Sequence, residues 1–480
     1  MELPIVTILI LIPALGAGLC LIVPRDDDGT VRKVSLTVAV LAFLLNLPLF
    51  WAYQTGADAE VFQFVQEVSW VPSVGLSYKV GFDGMSLLLV MLTTFLTPVG
   101  ILASWTSIKK RTHAFYASVL LLEASVIGVF AAMDLVLFYV FWEIMLVPML
   151  LIIGIWGSKR RVYAAVKFFI YTMAGSLLML AGIVYVYWRA GGQTFEIAAI
   201  AETLRALPPA KALSVAESCW LFAAFSLAFA IKVPLFPFHT WLPDAHTEAP
   251  TAGSVMLAAV LLKMGTYGLL RLSIPFFPEA AAAFAPVIAV LAITGIIYGA
   301  LMALAQSDMK RLIAYSSVSH LGFVVLGIVA WNQQAVMGSI YQMLGHGLST
   351  GALFLVVGVI YERHHTREIA AFGGMARAAP VLAVVFMVSM LSSAGLPGLN
   401  GFPGEFLILL GTFQVHKLAA AGAALGIILG AVYLLTLYQR VMFGTPRDEA
   451  HAETRDLCTR EIVYFAPVLA LMVVMGLFPA

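Results

Sequence analysis

The chain has 480 residues, 61% of them hydrophobic and 11% charged, with a net charge of +1. A water-soluble domain carries about 25% charged residues, so that class is excluded, and the near-neutral balance offers no field for nucleic acid or an acidic partner. The apolar runs reach about 20 residues, the length an α-helix needs to cross a bilayer, whereas the short alternating segments of a membrane β-barrel are absent.

Fourteen spans are predicted, at roughly 3–23, 31–53, 82–105, 113–132, 135–156, 163–188, 217–238, 250–271, 281–304, 311–330, 335–361, 380–413, 419–443 and 461–479. The first has no basic segment before it and no clear cleavage site, so it reads as a retained span and not a signal peptide. Two longer stretches, 54–81 and 189–216, are mildly polar with Pro or Gly and are expected to hold short interfacial pieces. Cys20, Cys219 and Cys458 match no metal or disulfide spacing and read as packing residues.

Loop charge sets orientation. Of 27 Lys and Arg, eighteen fall in loops after odd-numbered spans and six in loops after even-numbered ones; the other three, Lys167, Lys232 and Lys263, lie in spans. This places the odd loops in the cytoplasm and both termini outside.

Spans 7 and 12 do not read as simple helices. Pro234, Pro237, Pro243 and Pro250 punctuate 228–250; each lacks an N–H and clashes with the preceding turn. Span 12, at 34 residues, contains SSAGLPGLNGFPGEF. One straight helix of that length would measure about 50 Å, against a hydrocarbon core of about 30 Å, so a break near Gly395–Gly404 is expected. The two breaks lie five spans apart. Spans 4–8 and 9–13 would then be two inverted repeats, and paired broken helices in such repeats point to a transport site. The expected fold is an all-α polytopic membrane protein of about 14 transmembrane helices, two inverted five-helix repeats and broken helices 7 and 12. Its parts are 1–112 (helices 1–3), 113–275 (first repeat), 276–445 (second repeat) and 446–480 (helix 14).

Ionisable residues inside spans are costly and usually functional. Glu143 sits near the middle of span 5, with nothing polar flanking it for several residues; a buried carboxylate must be paired or protonated. Lys232 stands two residues before Pro234. Burial favours the neutral amine and a nearby carboxylate favours the ammonium, so a Glu143–Lys232 pair would be a switch; snorkelling of the lysine toward the interface is the alternative. Lys263 is central in span 8 among small residues, which permit close packing. Glu405 follows the break in span 12 and is expected to be the repeat counterpart of Lys232 with opposite sign. His320 and His346, on spans 10 and 11, can both donate and accept a proton and would bridge Lys263 and Glu405, or be ordinary packing residues. Glu123 on span 4 is a further relay candidate. Lys167 either acts or snorkels. His239, Asp244, His246 and Glu248 match no strong metal motif; they form a hydrogen-bonded turn or a proton entrance from the cytoplasm. Asp134 and Asp308 sit at span junctions as caps. No phosphate loop, iron–sulfur cysteine cluster or haem-ligand pair is evident.

The segments FYVFWEIMLVPMLLIIGIWG, AIKVPLFPFHTWLPDAHTEAPTAGSVMLAAVLLKMGTYGLLR, DMKRLIAYSSVSHLGFV and GLPGLNGFPGEFLILLGTF resemble the antiporter-like subunits of respiratory complex I over nearly the whole chain. The M-type branch, the bacterial counterpart of mitochondrial NADH dehydrogenase subunit 4, is the nearest, because relatives of the L type and of Mrp antiporters typically carry lysine where this chain has Glu405. The end near Ala480, without a long lateral helix, points the same way. The resemblance implies a paired switch at Glu143 and Lys232, a central relay at Lys263, a terminal relay at Glu405, and His320 and His346 along the axis. It implies a proton-translocating subunit of NADH:quinone oxidoreductase in the bacterial inner (plasma) membrane, beside L-type and N-type neighbours that link it to the peripheral arm. No cofactor is expected in this chain; FMN, iron–sulfur clusters and quinone would sit on partner subunits. An Mrp-type cation/proton antiporter subunit, or its equivalent in a membrane-bound hydrogenase-type complex, is the alternative.

Overall fold

A computed structural model describes residues 4–56, 58–208, 211–445 and 454–479. The boundary expected at residue 446, and Arg447 of the loop tally, lie outside them. Among the described residues, thirteen helices are long and apolar enough to cross a membrane. The fourteenth crossing, span 12, is split into Pro380–Ser393 and Gly401–Val415. Span 7 is likewise a helix, Val215–Lys232, an irregular stretch, and a short helix, Trp241–Glu248. Both breaks fall at prolines, which lack the N–H that would bond back to the preceding turn.

Short polar side chains start the spans by accepting the N–H groups that a first helical turn leaves unpaired. Asp27 accepts from Thr30 at 2.9 Å, Asp134 from Val136 and Leu137, Asp308 from Arg311, and Asn332 from Ala335. The caps expected at Asp134 and Asp308 are present. Cys458 departs from its expected role: it is exposed and stands at the N-cap of the last helix, Thr459–Leu477, whose Glu461 accepts its N–H.

The stretch 54–81 leads into an antiparallel hairpin, β1 Gln63–Val71 and β2 Leu76–Phe82, a departure from an all-helical reading. It lies against the junction of spans 4 and 5, where Met133 donates its N–H to the Lys79 carbonyl. Lys79, between Glu67 at 3.1 Å and Glu196 at 2.7 Å, is partly buried, which disfavours its charge, yet the two carboxylates outweigh burial and raise its pKa. The stretch 189–216 holds a short helix, Ile197–Ala206, as expected.

Asp134 and Glu196 form an isolated antiparallel bridge, and so do Asp308 and Glu368. In the first, Leu135 donates to the Phe195 carbonyl and Ile197 to that of Met133; in the second, Met309 donates to Arg367 and Ile369 to Ser307. The same latch thus recurs five spans later, from the start of span 10 (Met309–Ala330) to the end of span 11 (Gln333–His364). Because five is odd, it lies on the opposite face. The remaining polar ties sort the same way. Arg271 bonds Asp83 on the hairpin face, whereas Arg367–Asp308 and Arg363–Glu461 lie on the basic face.

Spans 4 (Thr112–Ala131), 8 (Thr251–Phe276), 10 and 11 are the most enclosed. Each carries one of the titratable candidates: Glu123, Lys263, His320 and His346, all buried. The broken spans carry Lys232 and Glu405, also buried.

Candidate functional site

Span 8 is irregular where it carries its lysine: it widens to π-helical turns at Leu257–Leu261 and Leu269–Ser273, flanking a regular segment from Leu262 to Gly268. Such turns are frequent at functional sites. Gly265 lets this helix meet the end of the first half of span 7, because a Cβ there would lie 2.7 Å from the Phe229 carbonyl oxygen. Lys263 Nζ stands 2.7 Å from His346 Nδ1 and also donates to the Ala258 carbonyl freed by the wide turn. An ammonium can only donate, so His346 presents a lone pair at Nδ1 when the lysine is charged. His346 Nε2 has no partner among the described residues.

The His346 ring lies 5.8 Å from that of His320, centroid to centroid. His320 Nδ1 is 2.7 Å from Glu405 Oε1, which also accepts from Gln342 Nε2 at 3.0 Å. On the ring's other side, His320 Nε2 meets the Tyr433 hydroxyl at 3.1 Å and Ser393 Oγ at 3.4 Å. Ser393 ends the first half of span 12 and Glu405 belongs to the second half, so one imidazole spans the break. Gly395, at φ +77°, turns the chain there in the left-handed region that glycine enters without strain. Lys263, His346, His320 and Glu405 therefore follow one another through the interior, the two histidines between Lys263 and Glu405 as anticipated.

The other half of the site is arranged less simply. Lys232, the last helical residue before the break in span 7, is buried, so it does not snorkel. Its Nζ lies 5.2 Å from the Trp142 ring and 5.5 Å from that of Phe168, with Met145 Sδ at 3.6 Å. Span 5 (Leu135–Trp156) is interrupted at Met145, where its two helical segments meet, and this aims the sulfur and Trp142 at the lysine. No ion pair joins Glu143 to Lys232, and Glu143 Oε1 is buried without a hydrogen-bond partner among the described residues. Tyr139 lies beside Glu143. Glu123 stands apart, both carboxylate oxygens lacking a partner among the described residues. The adjacent Thr97 gives its hydroxyl to the Thr93 carbonyl instead.

One repeat assignment is corrected. Pro237 and Pro243 have the spacing of Pro397 and Pro403, and in that register the counterpart of Lys232 is Ser392. Lys232 precedes its break and Glu405 follows its own, so the two sit in opposite halves of their helices. Lys167, which was expected to act or to snorkel, pairs with Asp244 at 2.7 Å. The four-residue group beyond span 7 diverges. Asp244 faces Lys167, Glu248 accepts the Arg160 N–H at 2.8 Å, His246 stacks on Phe354 and His239 on Phe236. Among the described residues no three His, Cys, Asp or Glu side chains converge as metal ligands.

Gln342, Tyr433 and Ser393 were not anticipated. Gln342 had a signal, lying four residues before His346 and hence on the same helical face. Tyr433 had none, being one aromatic among many in an apolar span.

Residues 132–430 match the family model described as "NADH:quinone oxidoreductase/Mrp antiporter, TM", and residues 33–129 that for "NADH-ubiquinone oxidoreductase chain 4, amino terminus". NADH-quinone oxidoreductase subunit M of Rhodobacter capsulatus is 47% identical over 99% of this chain and 93% of that protein. NADH-ubiquinone oxidoreductase chain 4 of Marchantia polymorpha is 43% identical over 98% and 93%. Among solved structures, a chain of respiratory complex I from Thermus thermophilus superposes with a TM-score of 0.89 at 34% identity, covering 99% of this chain and 96% of that one. A chain of the Mrp complex from Dietzia sp. gives 0.86 at 22% identity, covering 99% and 95%, which is a likeness of fold. With matches of this extent to subunit M and to chain 4, the chain belongs to the M-subunit family of NADH:quinone oxidoreductase, as a multi-pass membrane component of a multi-subunit complex.

Proposed function

We propose that this subunit translocates protons along Glu143, Lys232, Lys263, His346, His320 and Glu405, driven by redox chemistry on other subunits. The observation that carries the reading is the succession Lys263–His346–His320–Glu405, four buried groups able to hold a proton, with contacts of 2.7 Å at both ends. Glu143 and Lys232 serve as the switch. A nearby carboxylate favours a lysine's ammonium, so protonating Glu143 would free the Lys232 proton to move toward Lys263. Buried ions of this kind are costly in a membrane and would be needless in a scaffold. Glu123 is an accessory relay.

In the same reading, residues 113–275 and 276–445 are the two repeats, flanked by 1–112 and 446–480. The flavin, iron–sulfur clusters and quinone belong to partner subunits, the neighbours in the membrane are L-type and N-type chains, and the chain lies in a bacterial plasma membrane with both termini outside. Glu405 held by a histidine, where Mrp-type chains typically carry lysine, favours this over cation/proton antiport. Glu143→Gln in the assembled complex is the test. Proton pumping should be lost while the subunits still co-purify with the peripheral iron–sulfur subunits; unchanged pumping overturns the reading. Co-purification with Mrp partners instead would support the antiporter.

A further inference from the structure

His320 has two ring nitrogens and both are engaged. Nδ1 faces Glu405 Oε1 at 2.7 Å. An ionised carboxylate only accepts, so Nδ1 carries the hydrogen whenever Glu405 is charged and His320 neutral. Nε2 is then a lone pair, buried, and in need of a donor. The Tyr433 hydroxyl, 3.1 Å away on span 13 (Lys417–Met442), meets that need; Ser393 Oγ, at 3.4 Å, is more distant. Tyr433 is enclosed, 1% exposed. Which nitrogen of a histidine holds the proton is set by the partner of the other nitrogen. The lone pair that Tyr433 covers is also the one left to receive a proton arriving from elsewhere, since Nδ1 is already occupied.

We propose that Tyr433 is a positioning residue for proton transfer, covering Nε2 of neutral His320 and so reinforcing, with Glu405, the ring orientation and tautomer that present the Nδ1 hydrogen to Glu405. The inference rests on the proposed proton path through His320 and Glu405. A proton that lands on Nε2 turns the ring into an imidazolium, and the Nδ1 proton can then pass to Glu405. For the proton to land there the phenol O–H must first turn off the lone pair, after which its oxygen accepts from the new Nε2–H, and only the hydroxyl hydrogen of Tyr433 has to move. The other titratable groups bearing on this ring are Glu405 on span 12 and His346 on span 11. Span 13 thereby enters the path without supplying an ionic group.

The experiment compares Tyr433→Phe, His320→Ala and the double variant in the assembled oxidoreductase reconstituted into vesicles, reading proton pumping per electron and histidine-labelled infrared difference spectra. Tyr433→Phe should reduce pumping by about tenfold, the factor that one ordinary hydrogen bond supplies. It should also shift the imidazole bands that report the hydrogen bond at Nε2. In the His320→Ala background it should cost nothing more. An equal loss in both backgrounds, or unchanged imidazole bands, overturns the inference. If His320→Ala itself pumps normally, the proton path has failed and not merely this part of it. Should Tyr433→Phe prevent assembly, 3-fluorotyrosine at position 433 keeps the shape and strengthens the donor. The pH profile of pumping should then move to lower pH, and an unmoved profile counts against the proposal.

Discussion

Lys263 and His346 meet at 2.7 Å, Nζ to Nδ1, on spans 8 and 11, so the contact joins one half of the chain to the other. Both are buried and neither has another titratable hydrogen-bond partner. Groups that work as one unit are not additive when removed. We expect Lys263→Met and His346→Ala each to abolish most pumping and the double variant to be no worse than either. Additive losses, measured as proton uptake per NADH oxidised, would separate the two residues.

The Lys232 amino group sits in a cage of Trp142, Phe168 and Met145 without an ion pair. Burying a charge is expensive, and replacing buried ionic groups with apolar ones of similar volume is often neutral or stabilising, by about 1–4 kcal/mol. Lys232→Met should therefore leave the melting temperature of the detergent-solubilised complex unchanged or raised while pumping falls. A complex that is both inactive and less stable would indicate a structural lysine.

Gly404 precedes Glu405, and a Cβ on it would lie 2.9 Å from the Gln342 Cα. Span 11 would have to move, and the Gln342–Glu405 bond with it. We expect Gly404→Ala to lower pumping and to cost about 1–3 kcal/mol, as overpacking does. Gly444→Ala, with open space around it but a φ of +90°, should leave pumping intact. Thermal unfolding and pumping measured together on both variants check this.

Arg271 bonds Asp83 and, through Nε at 3.2 Å, the Tyr267 hydroxyl, fastening span 8 to the start of span 3 (Gly84–Ala103). Both charged partners are mostly buried. Removing one side of a buried pair costs roughly 3–5 kcal/mol, so Arg271→Ala should lower the yield of assembled complex or its melting temperature. Arg271→Lys should rescue poorly, because two separate acceptors need the guanidinium fork. Full rescue by lysine would reduce the latch to a simple charge.

Much of this protein was legible along the chain. A bilayer demands that each crossing satisfy its own backbone, so apolar length alone located the fourteen crossings, and the prolines and glycines located both breaks. The cost of an ion in hydrocarbon singled out Glu143, Lys232, Lys263 and Glu405, and the caps at Asp134 and Asp308 follow from local chemistry. The hairpin at 63–82 was not legible, because a strand is stabilised by its partner and not by its own sequence.

What the sequence by itself determined was which residues could carry a proton and roughly how deep they lie, since depth follows from position along a helix. Only the tertiary structure decided which of them touch. Helix rotation and packing put His320 between Tyr433 and Glu405, and set Lys263 against His346. They left Lys232 beside Met145 instead of paired with Glu143. A few tens of degrees of rotation about a helix axis separates a contact of 2.7 Å from none, and that angle is set by neighbouring helices far away in the chain.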